Sequence, residues 1–315
     1  MRIKLIAAGL AIAIAAGASA TFLSPPASLT DTAFAAAYST PLAPVTAPLN
    51  VYHIGHSLVG RDMPAMLAQL VPGHDYASQL GWGATLKGHW TGDVPGFKEE
   101  NANPRFRPAG EAVASGQYDA LVVTEMVEIK DAIKYYDSPE YLALWAKKAR
   151  AANPDIRVYL YETWHNLDDP TGWLERIESD RVLYWEGVLL RQAMATEGVG
   201  TIYVIPGGQV MAAMAREIEA GRVPGMTSRT DLFAINADGT QDTIHPSDKG
   251  TYLIALTHYA VLYGKSPVGL PFALKRADGT PADAPSPEAA RVMQEVVWRV
   301  VTSYAPTGVA AQPAG

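Results

Sequence analysis

The sequence predicts an α/β protein in which a mostly parallel sheet lies between two layers of helices, a three-layer α/β/α sandwich. Short β-type runs alternate with longer segments of helical spacing along most of the chain. Such alternation implies parallel strands joined by right-handed crossovers. The β-type runs are apolar almost throughout, as expected when helices cover both faces of the sheet. The chain has 315 residues and no visible internal repeat, which suits one sizeable core.

The pattern predicts four strands and six main helices. The strand segments combine β-branched, aromatic and other apolar residues, and they are 50–54, 119–123, 156–161 and 201–205. The helical segments show apolar residues at intervals of three or four, and they are 61–70, 141–152, 172–197, 209–220, 247–263 and 286–304. In open sheets of this kind a ligand binds beyond the carboxyl ends of the strands. Functional residues are therefore expected in the loops that follow the strands.

Residues 1–20 have the layout of a secretory signal peptide. Arg2 and Lys4 form a basic start, residues 5–17 are apolar, and Ala18-Ser19-Ala20 offers a cleavage site. The apolar stretch is short for a membrane span, although an uncleaved anchor is the alternative. Ala33-Phe34-Ala35 is a second potential cleavage site. The pattern predicts export, to a bacterial periplasm or to the medium, without stable membrane insertion after cleavage.

The rest of the chain divides into three segments. Residues 21–48 are rich in Ala, Pro, Ser and Thr and indicate a flexible or extended leader. Residues 49–304 carry the alternating pattern of the folded domain. Residues 305–315 resemble the leader in composition and indicate a flexible tail.

Composition excludes several classes of function. The formal net charge is -7, so the basic face of a nucleic-acid-binding protein is not expected. Clusters of cationic residues for lipid head groups are also missing. The chain has no cysteine, which excludes disulfides, a thiolate nucleophile and Cys-based zinc sites. The seven histidines do not show the spacing of a metal site, so we expect neither a metal nor another cofactor.

A serine follows the first predicted strand, in the run Ile54-Gly55-His56-Ser57-Leu58. The Ser57 hydroxyl would lie at the edge where a parallel sheet opens its site. A serine hydroxyl becomes an effective nucleophile only when a base takes its proton. The alternative is that Ser57 caps the helix that begins near Arg61, because serine is a favoured N-cap residue.

An acid–histidine pair stands near the end of the domain, in the run Asp242-Thr243-Ile244-His245-Pro246. An aspartate three residues before a histidine can accept the proton on one ring nitrogen, which leaves the other nitrogen free to act as a base. The alternative is a turn or capping role for Asp242 and a surface position for His245. Asp-x-x-His alone is a common spacing.

Taken together, these two segments resemble the SGNH (GDSL-type) hydrolase family, over most of residues 50–265. The family places its serine in a Gly-x-Ser-Leu-type block after the first strand, which Gly55-His56-Ser57-Leu58 matches. It places Asp-x-x-His, often followed by proline, before a late helix, as in Asp242 to Pro246. The resemblance implies a flavodoxin-like sandwich, a triad of Ser57, His245 and Asp242, and hydrolysis of an ester, commonly an acyl group on a sugar or a lipid.

Two further blocks of the family concern the oxyanion hole. The run Gln79 to Thr85 matches the glycine block, and the resemblance implies the backbone N–H of Gly83 as one donor and that of Ser57 as another. Gly83 could instead simply turn the chain. The chain departs from the family after the strand at 119–123, where Glu125 and Glu128 stand in place of the usual Gly-x-Asn-Asp. A carboxyl group donates a hydrogen bond only when it is protonated, which burial can favour. The resemblance is therefore to a divergent branch.

The sequence thus predicts an exported serine esterase that acts on a small-molecule or polysaccharide ester, with an acetyl ester of a carbohydrate as the first guess. That substrate rests on family analogy alone. An acyltransferase on the same fold is the first alternative, since only the acceptor differs. A non-catalytic carbohydrate-binding protein is the second, and the absent asparagine favours it.

Overall fold

A parallel sheet of five strands forms the centre of the computed structural model, which describes residues 26–310. The predicted signal peptide lies outside the described residues. The strands are β1 (Asn50–His56), β2 (Asp75–Gly81), β3 (Ala120–Val123), β4 (Arg157–Glu162) and β5 (Ile202–Pro206). Their order in the sheet is β2-β1-β3-β4-β5, with every neighbouring pair parallel. This is the strand order of flavodoxin-like folds.

Helices cover both faces of the sheet and confirm the predicted three-layer sandwich. They are α1 (Asp31–Ala37), α2 (Asp62–Leu70), α3 (Leu86–Thr91), α4 (Phe97–Glu100), α5 (Ala109–Ala114), α6 (Ile129–Tyr136), α7 (Ser138–Ala152), α8 (Trp173–Asp180), α9 (Arg191–Met194), α10 (Gly207–Glu219), α11 (Asp248–Tyr263) and α12 (Pro287–Ser303). A π-helical segment, Arg181–Leu190, joins α8 to α9, and short 3-10 turns occupy Arg229–Leu232 and Ala305–Thr307. None of the helices within residues 26–310 combines the length and apolarity that crossing a membrane requires.

Two apolar cores lie on opposite faces of the sheet. One contains side chains of α2, α10, α11 and α12, and the other contains side chains of α1, α5 and α7. Alternate residues of β1 divide between them, with Val51 in the first core and Tyr52 and Ile54 in the second. All three side chains are fully buried. This two-sided burial explains why β1 is apolar along nearly its whole length.

The leader and the described part of the tail both make contacts with the folded domain. Within the leader, α1 begins at an N-cap, Thr30, and buries Phe34. The Tyr38 hydroxyl donates a hydrogen bond of 2.7 Å to the Ile202 carbonyl at the start of β5. In the described part of the tail, the Gly308 carbonyl accepts a hydrogen bond from the Leu42 N–H of the leader. A few buried aromatic and apolar side chains fix both segments, and composition alone does not reveal them.

Strands with polar or half-exposed residues escaped the sequence pattern. The edge strand β2 carries Asp75, Ser78 and Gln79, so it does not read as a continuous apolar run. A separate antiparallel hairpin is formed by β6 (Phe233–Ile235) and β7 (Gln241–Pro246). All residues of β7 are partly exposed, so it lacks the apolar signal of a buried strand.

Buried histidines are an unusual feature of the first core. His53 of β1 and His258 of α11 face each other with ring centroids 6.0 Å apart, and both are fully buried. Neither ring nitrogen of His53 has a hydrogen-bond partner within the described part of the chain. Burial lowers the pKa of His258 to about 4 and holds that of His53 well below its usual value. Both rings are therefore neutral at physiological pH.

We expect the protein to lose stability as the pH falls from about 6.5 to about 4. In the unfolded chain His258 takes up a proton near pH 6.5, whereas in the folded chain it does so only near pH 4. Stability is thus complete above the unfolded pKa and declines as the pH falls towards the folded one, by on the order of 3 kcal/mol for one such group. The slope of the free energy of unfolding against pH, measured by urea denaturation between pH 7.5 and 4.5, should be smaller in His258→Phe than in the wild type. The difference should correspond to about one proton fewer taken up on unfolding. Tyr259→Phe in the same helix should keep the wild-type slope, and equal slopes for His258→Phe and wild type would contradict the expectation.

Candidate active site

A tight turn at the carboxyl end of β1 presents Ser57. The His56 carbonyl accepts hydrogen bonds from the N–H groups of Val59 (2.9 Å) and Gly60 (3.2 Å). Before the turn, a Cβ atom at Gly55 would lie 2.7 Å from side-chain carbons of Thr124 and Val59. Only glycine therefore allows the end of β1 to approach its neighbours so closely. Ser57 follows directly, at the edge of the sheet where ligands bind in this class of fold.

The Ser57 hydroxyl bonds to the predicted histidine and does not cap a helix. Helix α2 begins at Asp62, and its N-cap position is occupied by Arg61 without a side-chain capping bond. Ser57 Oγ instead lies 2.9 Å from His245 Nε2, a contact between residues 188 positions apart. The capping alternative for Ser57 is thus not the arrangement that the structure holds.

The second ring nitrogen of His245 faces Asp242. Nδ1 lies 2.8 Å from Asp242 Oδ2. The other carboxylate oxygen, Oδ1, accepts hydrogen bonds from the backbone N–H groups of Ile244 and His245, each 2.8 Å long. A carboxylate accepts but does not donate, so Nδ1 carries the proton and Nε2 presents its lone pair to Ser57. The structure therefore brings Ser57, His245 and Asp242 together in hydrogen-bonding sequence.

The environment of Asp242 keeps its carboxyl group ionised. Partial burial pushes its pKa upward, but hydrogen bonds from the backbone N–H groups of His245 and Ile244 and from the His245 ring outweigh this and lower the pKa below its usual value. Asp242 thus combines the turn role considered from the sequence with a hydrogen bond to the His245 ring. A fixed negative charge beside Nδ1 stabilises the positively charged imidazole ring that forms when Nε2 takes a proton.

Two hydrogen bonds fix β7 against the loop that follows β4. The Trp164 indole N–H donates 2.9 Å to the Ile244 carbonyl, and the Leu167 N–H donates 2.8 Å to the Thr243 carbonyl. Trp164 is fully buried. Trp164 follows a strand, so it could either contact a substrate or pack internally, and the structure supports internal packing. This packing positions the strand that carries His245.

A network of buried polar side chains stabilises the end of β1 that precedes Ser57. The Gln79 amide donates to His89 Nδ1 (2.9 Å), and His89 Nε2–H donates to the Gly55 carbonyl (2.9 Å). His56 Nε2–H donates 2.8 Å to the Glu125 carbonyl. Burial lowers the pKa of both His56 and His89 to about 4, so both rings stay neutral. The sequence did not predict this supporting role. The only sign of it in the sequence is that polar residues stand at the ends of neighbouring strands.

Gly83 follows β2 at the same edge of the sheet at which Ser57 follows β1. In the pairing of β1 with β2, His56 is opposite Gly81, so Ser57 lies one residue and Gly83 two residues beyond the ends of neighbouring parallel strands. Gly83 has φ 55°, a left-handed conformation that favours glycine. Among residues 26–310, no protein acceptor pairs with the backbone N–H of Ser57 or of Gly83. Both N–H groups thus remain open to bind another oxygen atom.

The two glutamates in place of the usual asparagine have other partners. Glu125 is fully buried, and burial raises its pKa to about 7. One of its carboxyl oxygens accepts hydrogen bonds from the N–H groups of Met126 (2.9 Å) and Leu86 (3.2 Å). Glu128 pairs with the Arg176 guanidinium at 2.9 Å. Neither carboxyl group takes the place of the asparagine amide donor that the resembled family usually has after this strand. The difference seen in the sequence is therefore also present in the structure.

A small cavity opens at Ser57 and His245. It has a volume of about 120 Å³, and its lining includes Met63, Thr251 and Ile254. A second cavity of about 320 Å³ is lined by Gly83 together with Met126, Tyr135 and Tyr136. Among residues 26–310, no three His, Asp or Glu side chains converge as a metal site would require.

Comparison with known proteins concerns the fold. No protein-family model matches the chain, and no curated protein sequence matches it. Among solved structures, a DUF4886 family protein from Bacteroides uniformis is similar, with 14% identity and a TM-score of 0.52 over 81% of this chain and 95% of that chain. Phospholipase A1 from Streptomyces albidoflavus has 14% identity and a TM-score of 0.37, covering 64% and 93% of the two chains. A lipase from a goat rumen metagenome has 14% identity and a TM-score of 0.33, covering 68% and 98%. At these identities and scores only the first likeness is informative, and it shows a shared α/β fold.

Proposed function

We propose that this protein is an exported serine esterase of the SGNH type, which hydrolyses a short acyl ester. One observation carries the proposal: the hydrogen-bonded sequence from Ser57 Oγ through His245 to Asp242, with links of 2.9 and 2.8 Å. A hydroxyl, an imidazole and a carboxylate in this order form an activated nucleophile. A purely structural role would not require a serine hydroxyl to face the free nitrogen of an oriented histidine.

The reaction proceeds by two acyl-transfer steps. Ser57 Oγ attacks the ester carbonyl carbon while His245 Nε2 takes the hydroxyl proton, and the carbonyl oxygen becomes an oxyanion. His245 then donates this proton to the leaving alcohol oxygen as the bond between that oxygen and the acyl carbon breaks. Water, activated by His245, attacks the acyl-enzyme and releases the acid and Ser57. Base assistance of this kind is worth about 10²–10⁴-fold in rate.

The backbone N–H groups of Ser57 and Gly83 are the proposed oxyanion donors. Their support is that both follow neighbouring strands at one edge of the sheet and have no acceptor within residues 26–310. One such donor typically contributes about 3–4 kcal/mol to the stabilisation of a transition state. With Glu125 engaged by backbone N–H groups, the site operates with fewer donors than the usual family pattern.

A short acyl group fits the cavity beside Ser57. Its volume of about 120 Å³ corresponds to roughly four water molecules at about 30 Å³ each. An acetyl group fits within this volume, whereas a long acyl chain does not. Tyr135, which lines the cavity at Gly83, is 58% exposed and offers a flat apolar face next to a polar hydroxyl. These features support an acetylated carbohydrate as the substrate class.

The proposal is tested with p-nitrophenyl esters of increasing acyl length. The mature protein should hydrolyse the acetate, and kcat/KM should fall by about 10-fold or more from the acetate to the octanoate, because the cavity at Ser57 is too small for the longer chain and the adjoining space is lined by charged side chains. Absence of hydrolysis at every chain length would remove the esterase proposal and favour the non-catalytic carbohydrate-binding alternative. If sugar is added and the acetyl group is transferred to a sugar hydroxyl instead of to water, the acyltransferase alternative is favoured.

Export is part of the proposal and rests on residues 1–20. Cleavage after Ala20 would keep α1, whose Phe34 is buried against the body of the protein. Cleavage at the second potential site, Ala33-Phe34-Ala35, would divide that helix. The first site is therefore the proposed one, and N-terminal sequencing of the exported protein tests it.

A further inference from the structure

A groove of about 560 Å³ runs along α2 beside the proposed catalytic serine. Gly60 and Arg61 line both this groove and the small cavity at Ser57, so the two spaces adjoin. From there the groove follows Ala65, Ala68 and Gln69 along one face of α2. The lining also includes residues 103–105, Lys275, Arg276, Ala277 and Gly279. A substrate held at Ser57 can therefore extend into this groove.

The groove is lined by four cationic side chains and by no aspartate or glutamate. The cations are Arg61, Arg105, Lys275 and Arg276. Arg105 forms an ion pair with Asp75, and Arg276 forms one of 2.5 Å with Asp248, so these two cations are neutralised by carboxylates. Arg61 and Lys275 have no carboxylate within 4.0 Å in the described part of the chain.

The Arg61 guanidinium is held in place without being neutralised. Its Nη2 donates hydrogen bonds of 2.5 and 2.9 Å to the backbone carbonyls of Glu99 and Glu100. These acceptors carry no net charge, so they orient the guanidinium and leave its positive charge uncompensated. Arg61 and Lys275 thus place two such cations in one groove of a chain whose formal net charge is -7. Charge of one sign along a cleft attracts ligands of the opposite sign.

We propose that this groove binds an anionic group of the substrate, a carboxylate, sulfate or phosphate carried by the carbohydrate whose ester reacts at Ser57. The inference rests on the proposed function of Ser57. A soluble acidic carbohydrate fits better than a lipid, because none of the exposed large hydrophobic side chains lines the groove. The substrate class is thus an acylated acidic saccharide.

The test compares acetylated methyl glucoside with acetylated methyl glucuronoside, which differ only in a hydroxymethyl group or a carboxylate at C6. The wild type should show a higher kcat/KM for the glucuronoside at low salt, and the preference should shrink as salt is added. Arg61→Gln and Lys275→Gln should each lower the ratio of the two kcat/KM values about 3- to 5-fold, the usual worth of one exposed charge pair. Lys265→Gln, which removes an exposed cation outside the groove, is the matched control and should keep the wild-type ratio.

The outcomes separate this inference from the esterase proposal. Hydrolysis of both esters with a ratio near one, unchanged in Lys275→Gln, would overturn the anion site and leave the esterase intact. A rate that rises on vesicles of anionic phospholipid, with no preference for the glucuronoside, would overturn it in favour of a lipid substrate. If neither ester is hydrolysed, calorimetry with methyl glucuronoside and with inorganic phosphate decides: binding that weakens in Lys275→Gln supports the site, and absence of binding overturns it.

Discussion

Ser57→Ala should reduce p-nitrophenyl acetate hydrolysis by about 10⁴-fold or more, because removal of a triad nucleophile leaves only the contributions of the oxyanion donors and of substrate binding. Ser57 is half-buried and sits in a turn closed by backbone hydrogen bonds of neighbouring residues. Within the described part of the chain, its hydroxyl makes one side-chain hydrogen bond, with His245. The substitution should therefore change activity without changing the fold. Initial rates at saturating ester, with thermal unfolding of both proteins, provide the measurement.

Ser303→Ala is the matched control for this experiment. Ser303 is exposed near the end of α12, and its hydroxyl bonds only to a helix carbonyl. It should keep the wild-type rate. A Ser57→Ala protein that is folded and hydrolyses the ester as fast as the wild type would show that hydrolysis does not pass through this serine.

Asp242→Asn should lower kcat by about 10²–10⁴-fold although the side chain keeps its shape. The backbone N–H groups of Ile244 and His245 both point at Oδ1. They would hold the carbonyl oxygen of the new amide there, which turns its NH₂ group towards His245 Nδ1. An NH₂ donor next to Nδ1 favours the ring tautomer with the proton on Nε2. That tautomer cannot accept the proton of Ser57.

The kinetics of single and double variants test this reasoning. Since the three residues act as a unit, Asp242→Asn combined with Ser57→Ala should be no slower than Ser57→Ala alone. Asp238→Asn, an identical change in the exposed turn of the same hairpin, should keep the wild-type rate. A wild-type kcat for Asp242→Asn, or multiplicative losses in the double variant, would show that Asp242 does not orient the base.

Local sequence signals determined the layers of the fold. Apolar runs such as Ala120–Val123 predicted buried parallel strands, and helix caps at Ser247 and Ser286 match the predicted starts of α11 and α12. The same signals missed β2, β6 and β7. A strand at the edge of a sheet or in an exposed hairpin has polar or half-exposed side chains, so its pattern resembles that of a loop.

The candidate catalytic residues could be identified in the sequence, but their proximity in space could not. Ser57 and His245 each stood in a short block of recognisable composition, and their resemblance to one family placed them together as an expectation. Only the tertiary structure gives the 2.9 Å contact across 188 residues. Such a contact depends on the packing of β7 against the loop after β4, which Trp164 fixes from within the core.

The sequence by itself thus determined the sandwich and the candidate nucleophile, base and acid, because these follow from periodicity and from short blocks of residues. The tertiary structure decided the orientation of Asp242, the burial of Trp164 and Glu125, and the groove shared by Arg61 and Lys275. Each of these depends on side chains that are distant along the chain and adjacent in space. The physical reason is that burial and charge compensation are properties of the packed whole, and a residue's immediate sequence neighbours do not specify them.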